Sequence, residues 1–516
     1  MDTSYRIIFS VVILLSAFAS ASGQVLEEVR DSEVKMVLGV PTTPWKGEIT
    51  KAVEQNLPKS VDNSLSPHFP PIFSQIGNSC AQASGIGYLF TYEMNSLLNR
   101  DASLAENRFS YLYCWNFING GKDEGGFSSD GLSLSMSSGV MPESDFPRQT
   151  MQFQYYWASG FDKYLNALKY RAKSFNRIEI ASETDLAQVK SYLYNKGEDG
   201  HKGGLLCFSG YSSNWTMDND YSGPSETGYK CMLTKLATDG AHGMTIVGYD
   251  DTVEYTSADG KLTKGAFIAV NSWGDYMHDR GHYYLPYELF LSEHDHLALG
   301  NDLLGVEVEY RDHPLIVFRV ALDYSSRDDL ALWVGVNSKS TSSYPFYDYP
   351  SPMFKNCGGD YPMQGQYAPS SIEFAIDFSS YADKVDGLEE PTYFLTVKRG
   401  HYGSKYGEGT IKSVAVYDYR ENPSRPKIYK PEEDIEGTVL EEGSNCFSIP
   451  TVTPPKCSYT PVLWLNALTG QPAAAPLVFR TAKGKYAKVR FSEYDREAGT
   501  IKLKYVYAAD GSRNLK

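Results

Sequence analysis

Two apolar runs, residues 244–249 (MTIVGY) and 266–271 (AFIAVN), constrain this chain more than any other feature. Each is short, apolar and bounded by turn residues, the pattern of a buried β-strand. Asp259-Gly260 lies between them, a dipeptide suited to a tight hairpin turn, and residues 283–285 are expected to continue the sheet. Helical texture precedes the strands. After Cys80, the residues Ala81, Ser84, Gly85, Tyr88, Leu89, Tyr92 and Glu93 recur at three-and-four spacing, which predicts an amphipathic helix with a small-residue start. Residues 155–171 and 183–194 read as further helices, the latter opened by the cap-like run Ser182-Glu183-Thr184-Asp185. Helices followed by sheet predict an α+β fold.

From Val306 onward the texture is strand alone: LIVFRVALDY, LALWVGVN, IEFAIDF, TYFLTVKRG and TIKSVAVYDY, separated by turn residues. This predicts an all-β sandwich over 306–420. Residues 421–459 combine repeated Pro with an acidic run and read as a linker, and 460–516 as a short C-terminal β module carrying two alternating strands. Residues 60–305 then form the first domain and 24–59 a lead-in segment. The length of 516 residues agrees with about three domains.

Residues 1–23 hold Arg6, an apolar run from Ile7 and a small-residue stretch, AFASASG, with an A-x-A cut expected after Ala21. This reads as a secretory signal, too short and too interrupted by Ser10 and Ser16 for a membrane span. No other stretch predicts a transmembrane anchor. The expected destination is periplasmic, cell-surface or extracellular. A formal net charge of −15 and the lack of any basic run argue against nucleic acid as a partner, leaving peptides, proteins or small molecules. Seven cysteines in an oxidising compartment leave at least one thiol unpaired. Cys207 with Cys231, and Cys446 with Cys457, are the expected pairs.

Cys80 stands in SQIGNSCAQAS at the predicted start of a helix, where backbone N–H groups and the helix dipole favour thiolate. A buried structural cysteine is the competing reading. His242, in DGAHGMTIVGY, precedes a buried strand and can present its imidazole at the sheet edge to take a proton from a thiol. The next strand ends in Asn271-Ser272-Trp273-Gly274, which brings an amide able to orient the imidazole and an indole able to shield it. Taken singly each has an ordinary structural use, but together they fit one mechanism.

These runs resemble the motifs of the papain-like cysteine proteases of the secreted bacterial type. The motifs are Q-x-G-x-x-C from Gln75 to Cys80, H-G-M-T-I-V-G-Y from His242 and N-S-W-G from Asn271, in the family's order. The likeness covers about residues 60–305. It implies a two-lobed papain-like catalytic domain, with Cys80 as nucleophile, His242 as base and acid, Asn271 orienting the imidazole, and Gln75 donating to an oxyanion hole with the Cys80 N–H. It also implies that Gly125 and Gly126 line a substrate cleft beside Trp273. The sequence departs from the family in Ala81 after the nucleophile, in Gly77 where many relatives carry Cys, and in the spacing of 29 from His242 to Asn271. The segment before Cys80 is short for the helical inhibitory propeptide of many relatives.

No cofactor is expected. His278, His282, His294 and His296 have no zinc spacing, and Asp218, Asp220 and Glu226 make no complete calcium loop, so no metal is assigned. The tail also resembles the C-terminal segment of HmuY-type haem-binding proteins, but no His follows His401, and shared β scaffold is the favoured reading. The expected activity is peptide-bond hydrolysis through a Cys thioester. The alternatives are a non-catalytic binding or adhesion protein on the same scaffold, and a transamidase or exopeptidase using the same chemistry.

Overall fold

The run after Cys80 folds as one helical rod: an α-turn Cys80–Gln82, a π-helical stretch Ala83–Phe90 and an α-helix Thr91–Leu98. Every residue of the π-helical stretch is buried, so the rod passes through the interior. It ends on Asn99, whose left-handed backbone (φ 51) closes the last turn. Helices Tyr111–Ile118, capped by the Ser110 side chain, and Ser128–Ser138 accompany it. The protein is described from a computed structural model covering residues 57–147, 155–198, 200–256, 260–338, 343–354, 359–363, 371–400 and 407–452, plus the backbone of five further strands. The expected signal segment lies outside the described residues. Among those residues no helix is long and apolar enough to cross a membrane.

The two apolar runs are strands Ala241–Thr256 and Leu262–Val270, paired antiparallel with Tyr249 opposite Phe267. His282–Pro286 continues the sheet. Alternate residues of Leu262–Val270 enter different cores: Ala266, Ile268 and Val270 pack in the core that contains the helical rod, and Phe267 and Ala269 pack with Leu186, Val189 and Tyr192 of helix Glu183–Asn195. A strand covered on both faces has no polar side, which is why the run is continuously apolar. The resulting sheet has 11 strands and also takes in Tyr170–Glu179, Asp302–Tyr310 and Leu206–Tyr211.

Several expectations need correction. The helix expected over 155–171 is confined to Phe161–Ala167, and Tyr170–Glu179 is a strand. Gly160 (φ 123) opens that helix late, and antiparallel pairing with Asp302–Tyr310 takes the chain after it. That same strand crosses the boundary expected at 305/306, because residues as far as Tyr310 pair back onto the first sheet. The segment expected as a linker supplies strands Lys427–Tyr429, Thr438–Val439 and Gly443–Pro450. Gly443–Pro450 pairs along its whole length with Thr392–Arg399 and buries Phe447 and Ile449. Its prolines flank the strand or end it, where no ladder N–H is lost. In the lead-in, Val40–Pro44 pairs with Tyr170–Glu179. The tail has a third strand, Leu477–Arg480, beside the expected two, Tyr486–Asp495 and Thr500–Ala508.

Cys207 and Cys231 are both free and sit in different cores, which separates them. Cys207 Sγ lies 3.0 Å from Ser84 Oγ, and Cys231 lies beside Asn219 and His278. Cys457, expected to pair with Cys446, lies outside the described residues.

Beyond Tyr310 two antiparallel sheets follow. One runs Ser371–Asp377, Ile316–Tyr324, Gly409–Asp418, Lys427–Tyr429; the other Tyr347–Pro350, Leu330–Asn337, Thr392–Arg399, Gly443–Pro450. They meet through rings such as Phe318 on Tyr393, 5.9 Å apart. These sheets dock directly on the helical side of the first unit. Trp157 packs on Phe354 and Phe161 on Tyr417, and the Gly160 N–H donates to Glu373 O at 2.8 Å. Two cations are enclosed at the joint. Arg327 lies 4.4 Å over the Trp157 ring and donates to Tyr155 O, and Arg171 pairs with Asp377 at 2.7 Å, the two side chains 3% and 8% exposed.

Candidate active site

Three elements converge around Cys80. The first is the rod that Cys80 opens. The second is strand Ala241–Thr256, whose Gly243 backs onto it: a Cβ at Gly243 would stand 2.9 Å from the Ala81 Cα, so only glycine permits this approach. Ser84 fixes the contact from inside, its hydroxyl donating to Met244 O at 2.6 Å and lying 2.8 Å from the Thr245 hydroxyl. His242, the residue before Gly243, is thereby carried to the rod's beginning. The third element is the Asn271–Gly274 turn, held by a short stretch of β-type pairing with residues 73–75. Gln75 N–H donates to Ser272 O, and Gly274 N–H to Phe73 O. Tyr88 of the rod adds a hydrogen bond from its hydroxyl to Asn271 O at 3.1 Å.

The side chains form an ordered set. His242 Nε2 lies 3.0 Å from Asn271 Oδ1, and the Trp273 indole stacks on the imidazole with centroids 4.6 Å apart and planes 23° from parallel. A bond at Nε2 leaves Nδ1 as the imidazole's other proton site. Gly77 takes a left-handed backbone (φ 55) that suits the tight loop before Cys80. Gln75 Nε2 donates one hydrogen to Gly77 O at 2.7 Å, and its Oε1 accepts from Ser272 Oγ at 2.6 Å. The amide is therefore oriented and retains a second N–H.

Burial sets the electrostatics. It pushes the Cys80 thiol up, against the backbone N–H groups of Gly243, Ala81 and Cys80, which favour thiolate. Desolvation also lowers His242 from 6.5 to about 4, with the Asn271 hydrogen bond acting in the opposite sense. Each group alone is driven neutral, so burial outweighs the pull of the helix start toward thiolate. A thiol ordinarily holds its proton more tightly than an imidazole, and burial raises Cys80 while lowering His242, so the resting pair is neutral thiol and neutral imidazole.

Gly125 and Gly126 precede helix Ser128–Ser138. A Cβ on Gly125 would have only Asn78 O nearby, at 3.7 Å, so that side of the backbone is open. At Gly126 it would meet the Asp130 carboxylate at 2.9 Å. Asp123 accepts from Asn78 N and ties this loop to the segment before Cys80. Trp273 is half-buried over His242 and next to Trp215, the position of a cover. Among the described residues no group of His, Cys, Asp and Glu gathers as a metal site.

Sequence reasoning missed His278, Tyr88 and Gly243. Asn271 Nδ2 lies 3.1 Å from His278 Nε2, and His278 Nδ1 lies 3.6 Å from Cys231 Sγ. Metal-ligand spacing says nothing of such a role for His278; its place a few residues after Asn271 is the available signal.

No family model matches the chain, and no curated protein matches it. Solved structures do. Xylellain, a cysteine protease from Xylella fastidiosa, is 18% identical, with 54% of this chain and 98% of its own covered at a TM-score of 0.34. A procathepsin B from Trypanosoma congolense is 14% identical over 52% of this chain and 83% of its own, TM-score 0.36. The bromelain protease from Ananas comosus is 16% identical over 48% and 98%, TM-score 0.31.

Proposed function

We propose that this chain is a thiol-dependent peptidase, hydrolysing peptide bonds through a thioester on Cys80. The observation that carries the reading is the His242–Asn271 hydrogen bond under the Trp273 ring, on a strand whose Gly243 backs onto the Cys80 backbone. In this reading His242 Nδ1 takes the thiol proton as sulfur attacks the substrate carbonyl. The negative oxygen that forms is held by the Cys80 N–H and the second N–H of Gln75. The imidazolium then protonates the leaving amine, and water, deprotonated by His242, releases the acid and restores the thiol. Gly125 and Gly126 would let substrate backbone lie close, and Trp273 would keep water from the imidazole. No cofactor enters the scheme. Export would follow from residues 1–23, and the two sheets after Tyr310 would form a sandwich that braces the first domain.

Replacing Cys80 with Ala is expected to abolish turnover of a peptide mixture read by mass spectrometry, and an alkylating or epoxide reagent to inactivate the wild type with one mole bound at Cys80. Full turnover by Cys80→Ala would overturn the reading.

A further inference from the structure

An amide side chain can face an imidazole either way round, and only one way serves the proposed chemistry. Asn271 must present Oδ1 to His242. Then His242 carries its proton on Nε2 and leaves Nδ1 bare for the thiol. Flipped, the amide would donate to Nε2, the proton would move to Nδ1, and the base would be blocked. Nothing within the His242–Asn271 pair makes this choice.

The neighbours of Asn271 make it. Its Nδ2 is 3.1 Å from His278 Nε2, His278 Nδ1 is 3.6 Å from Cys231 Sγ, and Cys231 Sγ is 3.3 Å from Asn219 Oδ1. The structure turns Asn219 Oδ1 toward Cys231, and the direction of the row follows from that end. Asn219 Oδ1 can only accept, so the one Cys231 proton points there and the sulfur is left to accept. His278 therefore donates from Nδ1 and accepts at Nε2, Asn271 donates from Nδ2 and accepts at Oδ1, and His242 donates from Nε2. Each link in the row then joins one donor to one acceptor. Residue 278 also holds a left-handed backbone (φ 54), unusual outside glycine and of the kind that persists where the surroundings require it. Its ring is enclosed by Trp215, Trp273 and Tyr283, with centroids 5.8, 6.1 and 5.3 Å away. Burial and the nearby His242 keep it uncharged, lowering it to about 4, which preserves Nε2 as an acceptor.

We propose that His278 is a positioning residue that sets the tautomer of His242 through Asn271, as the inner link of a one-way hydrogen-bond row beginning at Asn219. The proposal rests on the peptidase reading for its consequence but not for its geometry.

The test uses the full chain labelled with ¹⁵N-histidine. In the wild type the His242 ring should appear as the Nε2–H tautomer. His278→Phe keeps a ring among the three aromatics but removes the acceptor; His242 should become a mixture of tautomers, and kcat should fall about tenfold with KM little changed. His278→Gln, whose Oε1 reaches the place of Nε2, should recover the Nε2–H tautomer and most of the kcat. Asn219→Ala, at an exposed position, covers the case in which His278→Phe does not fold, and should mix the tautomers to a smaller extent. A pure Nε2–H ring with wild-type kcat in His278→Phe would overturn the proposal, as would a loss confined to KM or an unchanged His242 spectrum in Asn219→Ala. If the wild type turns over no peptide, the peptidase reading fails, and the ring spectra still decide this one.

Discussion

The chain contains two seams of opposite character. Between the Cys80–Leu98 rod on one side and strand Ala241–Thr256 with the Asn271–Gly274 turn on the other, contact is made by small and polar groups: Gly243 on Ala81, the Ser84 hydroxyl on Met244 O and Tyr88 on Asn271 O. Between the helical side and the sheets after Tyr310, it is made by large rings and enclosed charge: Trp157, Phe161, Phe354, Tyr417, Arg327 and the Arg171–Asp377 pair. The first seam holds few atoms in fixed relation, as chemistry requires. The second removes much apolar surface from water, as stability requires. Damage to the second should unfold the molecule, and damage to the first should leave it folded and inert.

The largest effect is expected at the second seam. A chain ending at Tyr310 would strip Phe354 from Trp157 and Tyr417 from Phe161 and leave Arg171 without Asp377; it should be insoluble or melt far below the intact protein. A graded form is Asp377→Ala, which leaves a buried guanidinium unpaired and should cost ~3–5 kcal/mol in chemical denaturation, with kcat on small peptides unchanged while the protein stays folded. Unchanged melting in either would reduce the seam to a loose contact and make the β unit a tethered module.

At the first seam, Gln75→Ala should lower kcat about 10²-fold, the ~3 kcal/mol typical of an oxyanion donor, with no loss of melting temperature. A change in KM alone would remove Gln75 from the chemistry. The smallest effect comes from acid. His242 titrates at about 4 when folded and near 6.5 when exposed. Above 6.5 both states are neutral and nothing is lost; as pH falls from 6.5 toward 4 the unfolded chain takes the proton first, and stability declines by up to ~3 kcal/mol. Below about 4 the native state protonates too and the decline stops. Denaturation between pH 7 and 4 should show a shallower slope in His242→Phe, and equal slopes would mean that the imidazole is not buried in solution.

The two seams differ also in how far the sequence discloses them. Cys80, His242, Asn271 and Gln75 are chemically distinctive residues in short runs, and the apolar strands behind them follow from covering on both faces. Partners of the second seam are ordinary core residues whose pairing depends on docking, which has no local signature. Pairing across the sheet also overrides local pattern: residues 170–171 join a strand despite helical spacing before them, and Gly443–Pro450 is a full strand inside a Pro-rich, acidic stretch. Cys207 and Cys231 look like a pair because the chain between them is polar, but the sheet assigns them to opposite cores. His278 is hidden because its use depends on Asn271 and Cys231 at once.

The strand Asp302–Tyr310 sits between two neighbours in the first sheet, and after the short 311–315 connection the chain enters Ile316–Tyr324, which also has a neighbour on each side. Within that connection, Arg311 N–H is bonded to Lys169 O and Leu315 N–H to Ser379 Oγ. A peptidase must draw several residues of its substrate out as free chain before it can cut, and exposed loops are where that is easily done. Here the joint would have to be pulled from two sheets at once. If the chain cuts peptides, autolysis should therefore begin elsewhere, and self-cleavage should not shed the C-terminal sheets as an intact fragment.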